Sequence, residues 1–210
     1  MRILPKLVNF ALFTVKKYQI DESHGLSHAI NVLHHSHNIL ESEIGNYPQL
    51  DEQRNIVYTS ALMHDLCDKK YMSENEGSNN IIEFLSKNTT LADYEVDIVH
   101  KIITTMSYSK VKNTGYPDLG IYQMAYHIVR EADLLSAYDV ERSIIYKMNH
   151  ESGDFNASFQ DALTLFDNRM FKHNEDKLFV TEYSKHMSRI LEKEACLRIK
   201  QWKMILEGTT

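Results

Sequence analysis

The side chains in this sequence best suited to chemistry are histidines and aspartates at three places far apart in the chain. The first is Asp21-Glu-Ser-His-Gly-Leu-Ser-His28, with His24 and His28 four residues apart beside a glycine. The second is Ala61-Leu-Met-His-Asp-Leu-Cys-Asp-Lys-Lys70, where an adjacent His64-Asp65 pair closes an apolar helical run. The third is Arg130-Glu-Ala-Asp-Leu-Leu-Ser-Ala137, where Asp133 stands among Ala132, Leu134 and Leu135. Burying a charge without a partner is costly, so a histidine and a carboxylate at the polar end of a buried helix imply a metal ion or a hydrogen-bond network. Imidazole suits zinc, iron, nickel and copper, and carboxylate suits magnesium and manganese, so a mixed set fits a borderline divalent ion.

Each signal alone also has a plainer reading. A His-Asp pair can be a cap or a surface pair. Asp133 can be the salt-bridge partner of Arg130. Asp68 follows Asp65 by three and His64 by four, so on a continuing helix all three share one side; the alternative is that Asp68 caps the next element.

The elements that must position these residues are helical. The chain has 210 residues, 43% of them hydrophobic and 25% charged, which suits a soluble globular protein with one well-packed core. Only 7 Gly and 3 Pro occur, too few for the many tight turns of an all-β fold. Apolar spacing predicts helices over about residues 2–18, 28–43, 51–66, 73–86, 92–106, 121–148, 155–171 and 177–206. Asp21, Ser23 and Ser27 are acceptable N-caps for the second, and Ser73 with Glu76 has the spacing of a capping box for the fourth. Ser107 to Leu119, with Gly115 and Pro117, and His150 to Asp154 read as loops. No repeat or linker divides the chain. The expectation is a single all-α domain over residues 1–210, with the chemistry at about 20–140 and C-terminal helices at about 155–206 packing on it.

Composition also bounds the partners. A formal charge of -6 argues against nucleic acid. No stretch approaches the roughly 20 apolar residues of a membrane span. The apolar run from Met1 to Val15 is broken by Lys6 and Asn9, and Lys16-Lys17 stands where a signal peptide would be cleaved, so it reads as an amphipathic helix of the fold. Cys67 and Cys196 form no CxxC pair and point to a reducing, cytoplasmic setting.

In order and spacing, His28, His64-Asp65 and Asp133 resemble the H…HD…D signature of the HD-domain metal-dependent phosphohydrolases. The patterns DxSHGxxH at 21–28, HDxxDxK at 64–70 and ADxLxA at 132–137, with the Ile102–Ser109 segment, resemble the small stand-alone branch that includes nucleotide pyrophosphatases. That resemblance implies an HD-type helical bundle with His28, His64, Asp65 and Asp133 as ligands of a divalent ion. Manganese comes first, with magnesium, cobalt, nickel, zinc or iron as alternatives. It implies metal-activated water attacking a phosphate ester or anhydride, foremost a nucleoside tri- or diphosphate. Asp68 is then the candidate general acid or base, and His24 a phosphate or supporting residue. Lys69, Lys70 and Lys112, with Lys110 beside them in the Gly/Pro loop, are the candidate phosphate-binding cations.

The sequence departs from the branch where an Arg commonly follows the first ligand, a position held here by Asn31, and where ADRLDA becomes Ala-Asp-Leu-Leu-Ser-Ala, with Leu134 and Ser136 in place of Arg and Asp. An absent Arg can mean an absent phosphate contact. Alarmone hydrolases of this kind carry an acidic pair after the HD where this chain has Asp68 and Lys69. Cyclic-nucleotide phosphodiesterases want more histidines. A di-iron oxygenase would need further ligands, for which His100 and His127 are the candidates. A non-catalytic metal-binding module is the remaining alternative. Of the other histidines, His34 and His37 read as surface residues and His35 as facing the same side as His28. Tyr183, Met187, Ile190 and Trp202 read as core or as a self-association face, compatible with a homodimer.

Overall fold

With so few chain breakers, backbone hydrogen bonds are most readily satisfied within helices, and the apolar side chains then line one face of each. The computed structural model describes residues 3–150 and 153–208. Arg2, expected in the first helix, and Glu151 and Ser152, expected in a loop, lie outside them. Among the described residues there are α-helices and short 3₁₀ turns and no strand, so the chain is all-α. The helices are α1 (Ile3–Tyr18), α2 (Leu26–Glu43), α3 (Arg54–Met63), α4 (Glu74–Asn88), α5 (Asp93–Thr105), α6 (Tyr108–Thr114), α7 (Gln123–Ser136), α8 (Val140–His150), α9 (Phe155–Asn168) and α10 (Glu182–Glu207). None is long and apolar enough to cross a membrane. The chain divides into two compact units, the first ending at Asp133 and the second beginning at Leu134.

In the first unit α3 is central, packing on α1, α2 and α5, while α4 lies on α5. Its buried face is Ile56, Val57, Ala61, Leu62 and Met63, none more than 1% exposed. Opposite stand Leu7 and Ala11 of α1, Val32, Ile39 and Leu40 of α2, and Val99 and Ile102 of α5, all buried. Burying each of the valine, leucine, isoleucine and methionine side chains contributes roughly 1.5–3 kcal/mol before chain entropy is counted. Phe10 of α1 stacks on Phe84 of α4 at 4.0 Å. Beside that pair the Tyr18 hydroxyl donates to Glu76 and accepts from Asn80.

In the second unit α8 packs on α9 and α10 on α8. Phe159, Ala162 and Phe166 of α9 are buried, with Ala195 and Ile199 of α10. Trp202 of α10 donates to Glu141 at 2.9 Å and lies 5.2 Å from the Phe155 ring, whereas Ile190 is 37% exposed.

Several boundaries differ from the sequence expectation. The third helix stops at Met63, not Leu66, so His64, Asp65 and Asp68 do not share a helical face. The Asp68 carboxylate instead accepts the Lys70 amide at 2.9 Å, a local turn that competes with helix. The stretch 107–119 is not all loop, because Tyr108–Thr114 is helical with Ser107 at its N-cap position. The helix expected over 121–148 is broken after Ser136: the Asp139 carboxylate accepts the Arg142 amide at 2.9 Å and caps the start of α8. The last helix begins at Glu182 rather than near Lys177, since Thr181 caps it through the Ser184 amide. Ser73 holds the N-cap position of α4, but its side chain makes no capping bond.

One approach ties α4 to the turn after His64-Asp65. A Cβ built on Gly77 would lie 2.7 Å from Cys67 Cα and 2.8 Å from Cys67 Cβ. Nothing larger than glycine fits there without moving the backbone that follows Asp65. Gly77→Ala therefore lowers stability by roughly 1–3 kcal/mol through overpacking, despite alanine's better helix propensity. Urea unfolding measures this, and an unchanged or higher midpoint would show that the turn yields freely.

Candidate metal centre

Three chain segments bring the sequence-predicted ligands together. His28 is the third residue of α2, one turn from a start that has Gly25 at the N-cap. None of the three expected caps holds that position. Asp21 is instead engaged by Ser23 and Tyr71, and a Cβ at Gly25 would press on the Asp21 carbonyl at 3.0 Å. His64 caps the C-terminal end of α3, and its Nδ1 donates to the Ala61 carbonyl at 2.9 Å, which fixes the ring and aims Nε2 away from the helix. Asp65 follows in the turn, and Asp133 comes from α7.

Their polar atoms converge. His28 Nε2 lies 3.1 Å from His64 Nε2, 3.3 Å from Asp65 Oδ2 and 3.4 Å from Asp133 Oδ1. His64 Nε2 lies 3.2 Å from Asp65 Oδ2 and 3.7 Å from Asp133 Oδ1. The imidazoles are 1% and 2% exposed and the carboxylates 18% and 27%, so the histidines form the floor and the aspartates face the opening.

This donor set fits a metal ion. His28, His64 and Asp65 each offer a ligand atom within 4.8 Å of the others, and Asp133 faces both histidines. Asp65 Oδ2 is buried and accepts no hydrogen bond among the described residues, although two ring nitrogens lie beside it. A buried carboxylate oxygen left so is costly, and a cation between it and the imidazoles satisfies it. Two carboxylates with two neutral imidazoles also balance a divalent charge.

Without a metal, the same crowding holds a proton. Burial opposes the charged form of His64, but Asp65 and then Asp133 outweigh it and raise the imidazole to about 9. Burial likewise pushes both carboxyls up, yet His64 and His28 hold Asp65 and Asp133 well below the usual carboxylate range.

A second group of side chains adjoins the first. The His24 ring lies 6.3 Å from that of His28 and edge-on to it. Its Nε2 is 3.1 Å from Lys70 Nζ, and its Nδ1 is 2.7 Å from Ser23 Oγ and 3.2 Å from the Tyr71 hydroxyl. The Asp68 carboxylate approaches Lys70 Nζ at 3.6 Å. Burial and then Asp21 push the Tyr71 phenol well above its ordinary value, so it stays a donor. His24, Lys70 and Asp68, proposed separately from the sequence, are thus neighbours. Tyr71 and Ser23 were missed. Ser23 sits inside the DxSH pattern, where its spacing could have flagged it; Tyr71, one residue past the last patterned lysine, carries no signal of its own.

Other candidates are not joined to this group. Lys69 is exposed and Lys112 lies 5.8 Å from the centre of the Tyr108 ring; neither makes a hydrogen bond or ion pair with the cluster among the described residues. Lys110 pairs with Glu74 and donates to the Thr104 carbonyl. His127 packs edge-on to Tyr116 and Tyr126, and burial with Arg130 lowers it to about 4. His35 is also lowered to about 4, by burial and then His34. Neither His100 nor His127 belongs to a metal-ligating group among the described residues.

No family model and no curated protein matches the chain. A solved structure does. The crystal structure of a Lactobacillus plantarum protein, a Northeast Structural Genomics target, is similar with a TM-score of 0.65 at 19% identity, covering 98% of this chain and 97% of that one. At this identity the likeness shows a shared fold.

The electrostatics give a pH dependence with a definite sign. In metal-free protein the raised His64 stabilises the fold fully below its ordinary 6.5, and that contribution is lost as pH rises toward about 9. The depressed Asp65 and Asp133 stabilise above their ordinary 3.8, and their contribution is lost as pH falls below it. Metal must displace the His64 proton, so adding zinc at about pH 7 releases on the order of one proton per ion, and affinity rises with pH until about 9. Proton release in weakly buffered solution measures this. Binding without release would show that His64 is not a ligand.

Proposed function

We propose that this chain is a metal-dependent phosphohydrolase of the HD type that cleaves a phosphate ester or anhydride, foremost in a nucleoside tri- or diphosphate, in the cytoplasm. The observation that carries the reading is the convergence of His28, His64, Asp65 and Asp133, in the order of the H…HD…D signature, beside a lysine and a histidine. Metal-assisted phosphoryl transfer uses both a metal site and an adjacent cation, and chance packing supplies no reason for the two to adjoin. Manganese is the preferred ion within this proposal, because two carboxylates among four ligands favour a harder metal than a thiolate or all-imidazole site would.

When bound, the ion supplies Lewis acidity toward a phosphoryl oxygen and lowers the pKa of water. The chain's own residues supply the rest. The carboxylates, more exposed than the imidazoles, leave the ion's outward side to the substrate, while the buried imidazoles close its inner side. Lys70 offers an ammonium to the negative charge that phosphoryl transfer concentrates on oxygen. It stands in for the arginines whose positions are held by Asn31 and Leu134; Leu134 is 4% exposed and has no polar group to offer. Asp68, beside Lys70, is the group placed to carry a proton to or from the reacting oxygens, while His24 contacts the Lys70 ammonium.

The test is phosphate and pyrophosphate release from a panel of ribo- and deoxynucleotides by metal-stripped full-length protein, with manganese, magnesium, cobalt, nickel or zinc restored one at a time. Turnover should return with one or two of these ions. It should fall by at least about a thousandfold in Asp65→Ala, the loss of a ligand to the ion. Metal bound at one equivalent, with no release from any nucleotide, would sink the nucleotide assignment.

A further inference from the structure

The hydrogen-bond chain behind Lys70 determines which nitrogen of His24 carries its proton. Asp21, a carboxylate, can only accept. It accepts from the Ser23 amide at 2.8 Å, from Ser23 Oγ and from the Tyr71 hydroxyl. Each hydroxyl has one proton: Tyr71 gives its own to Asp21, and Ser23 gives its own to Asp21 or to the Tyr71 oxygen, to which it is also hydrogen-bonded. Toward His24 they therefore present lone pairs. Both face Nδ1, at 2.7 and 3.2 Å, so Nδ1 is the nitrogen that donates. On the other side of the ring, the Lys70 ammonium has only protons to offer, and it lies 3.1 Å from Nε2. Nε2 then accepts. These contacts are satisfied together when His24 is neutral with its proton on Nδ1.

We propose that Asp21, Ser23 and Tyr71 are positioning residues that fix His24 as the Nδ1–H tautomer, so that its Nε2 lone pair holds the Lys70 ammonium in place as the phosphate-binding cation beside the metal cluster. Lysine is a flexible point charge with about 2 kcal/mol of rotamer entropy to lose, so a neutral acceptor that steers it without cancelling its charge improves anion binding. A carboxylate in the place of His24 would steer it equally well but neutralise it. Asp68 approaches the same ammonium at 3.6 Å, beyond direct hydrogen-bond distance, while its other oxygen is committed to the Lys70 amide. The Asp68 carboxylate thus stands farther from the ammonium than the His24 ring does.

That the anion is a phosphate rests on the phosphohydrolase reading; the tautomer does not, and the two can fail separately. The experiment uses full-length protein labelled with ¹⁵N-histidine and loaded with diamagnetic zinc. Long-range proton–nitrogen correlation spectra read His24 directly, and inorganic phosphate is the titrant. The expected spectrum has His24 protonated at Nδ1 and bare at Nε2. In Tyr71→Phe, which keeps the ring, His24 should shift toward a mixture of tautomers, and phosphate should bind roughly three- to tenfold more weakly, the loss of one hydrogen bond in the chain. Ser23→Ala should do the same, and serves if the tyrosine variant is poorly folded. Lys70→Met should weaken phosphate at least roughly tenfold. Zinc affinity should stay within about twofold in all three, because a general loosening of the fold would move it too. A wild-type His24 protonated at Nε2, or equal phosphate affinity in wild type, Tyr71→Phe and Lys70→Met, would overturn the proposal. If the tautomer and the phosphate losses appear while no nucleotide is hydrolysed, the network stands and the hydrolase reading falls.

Discussion

Two imidazoles and two carboxylates are packed against one another, with polar atoms 3.1 to 3.7 Å apart, and the first unit is arranged around the problem this creates. Either a cation or a shared proton must sit among them, because the carboxylates cannot keep their charge there uncompensated. Their placement explains why α3 ends where it does. Had the helix run on past Met63, Asp65 would have followed the helical path, pointing about 100° around the axis from His64. By stopping, the chain turns Asp65 back to within 3.2 Å of the His64 ring. The local cost of ending a helix is met by the bond from His64 Nδ1 to the Ala61 carbonyl, one of the carbonyls that the last turn leaves open.

That His28, His64, Asp65 and Asp133 form one candidate group was readable from type and order, and so was the helical class, since both rest on features that survive without coordinates: adjacency of His and Asp, apolar period, and the scarcity of Gly and Pro. What escaped was set by single side-chain to backbone bonds. Asp139 interrupts what looks by pattern like one helix through Met148, because an unbroken apolar period says nothing about whether an aspartate caps or merely points outward. Asp68 shows the same ambiguity. Its spacing from His64 is helical, yet its carboxylate closes a turn on the Lys70 amide. The positioning network around His24 was hidden for a different reason. Tyr71 reaches Asp21 across some fifty positions of sequence, and only the folded chain brings them together.

The two groups of polar residues divide the work by chemical type. The His28 and His64 imidazoles sit where water is excluded, and the Lys70 ammonium sits on the more exposed side. Gly77 links them to the rest of the unit. Its missing side chain lets α4 close on Cys67, in the turn between His64-Asp65 and Lys70, so that His64, Asp65 and Lys70 belong to one backbone segment pinned at its middle. Burial pushes the Cys67 thiol up to about 12, which suits a residue that packs and does not react.

The order in which the ligands occur along the chain has a consequence for how the protein is made. Synthesis runs from the N-terminus, and domains begin to fold as their segments emerge. His28, His64 and Asp65 leave the ribosome together with α1, α2 and α3, whereas Asp133 waits for α7. An ion captured by the nascent chain would be held by three ligands and would exchange readily. Only when α7 has been made is the fourth in place, so a choice among metals would be settled then, in whatever ionic surroundings the growing chain meets.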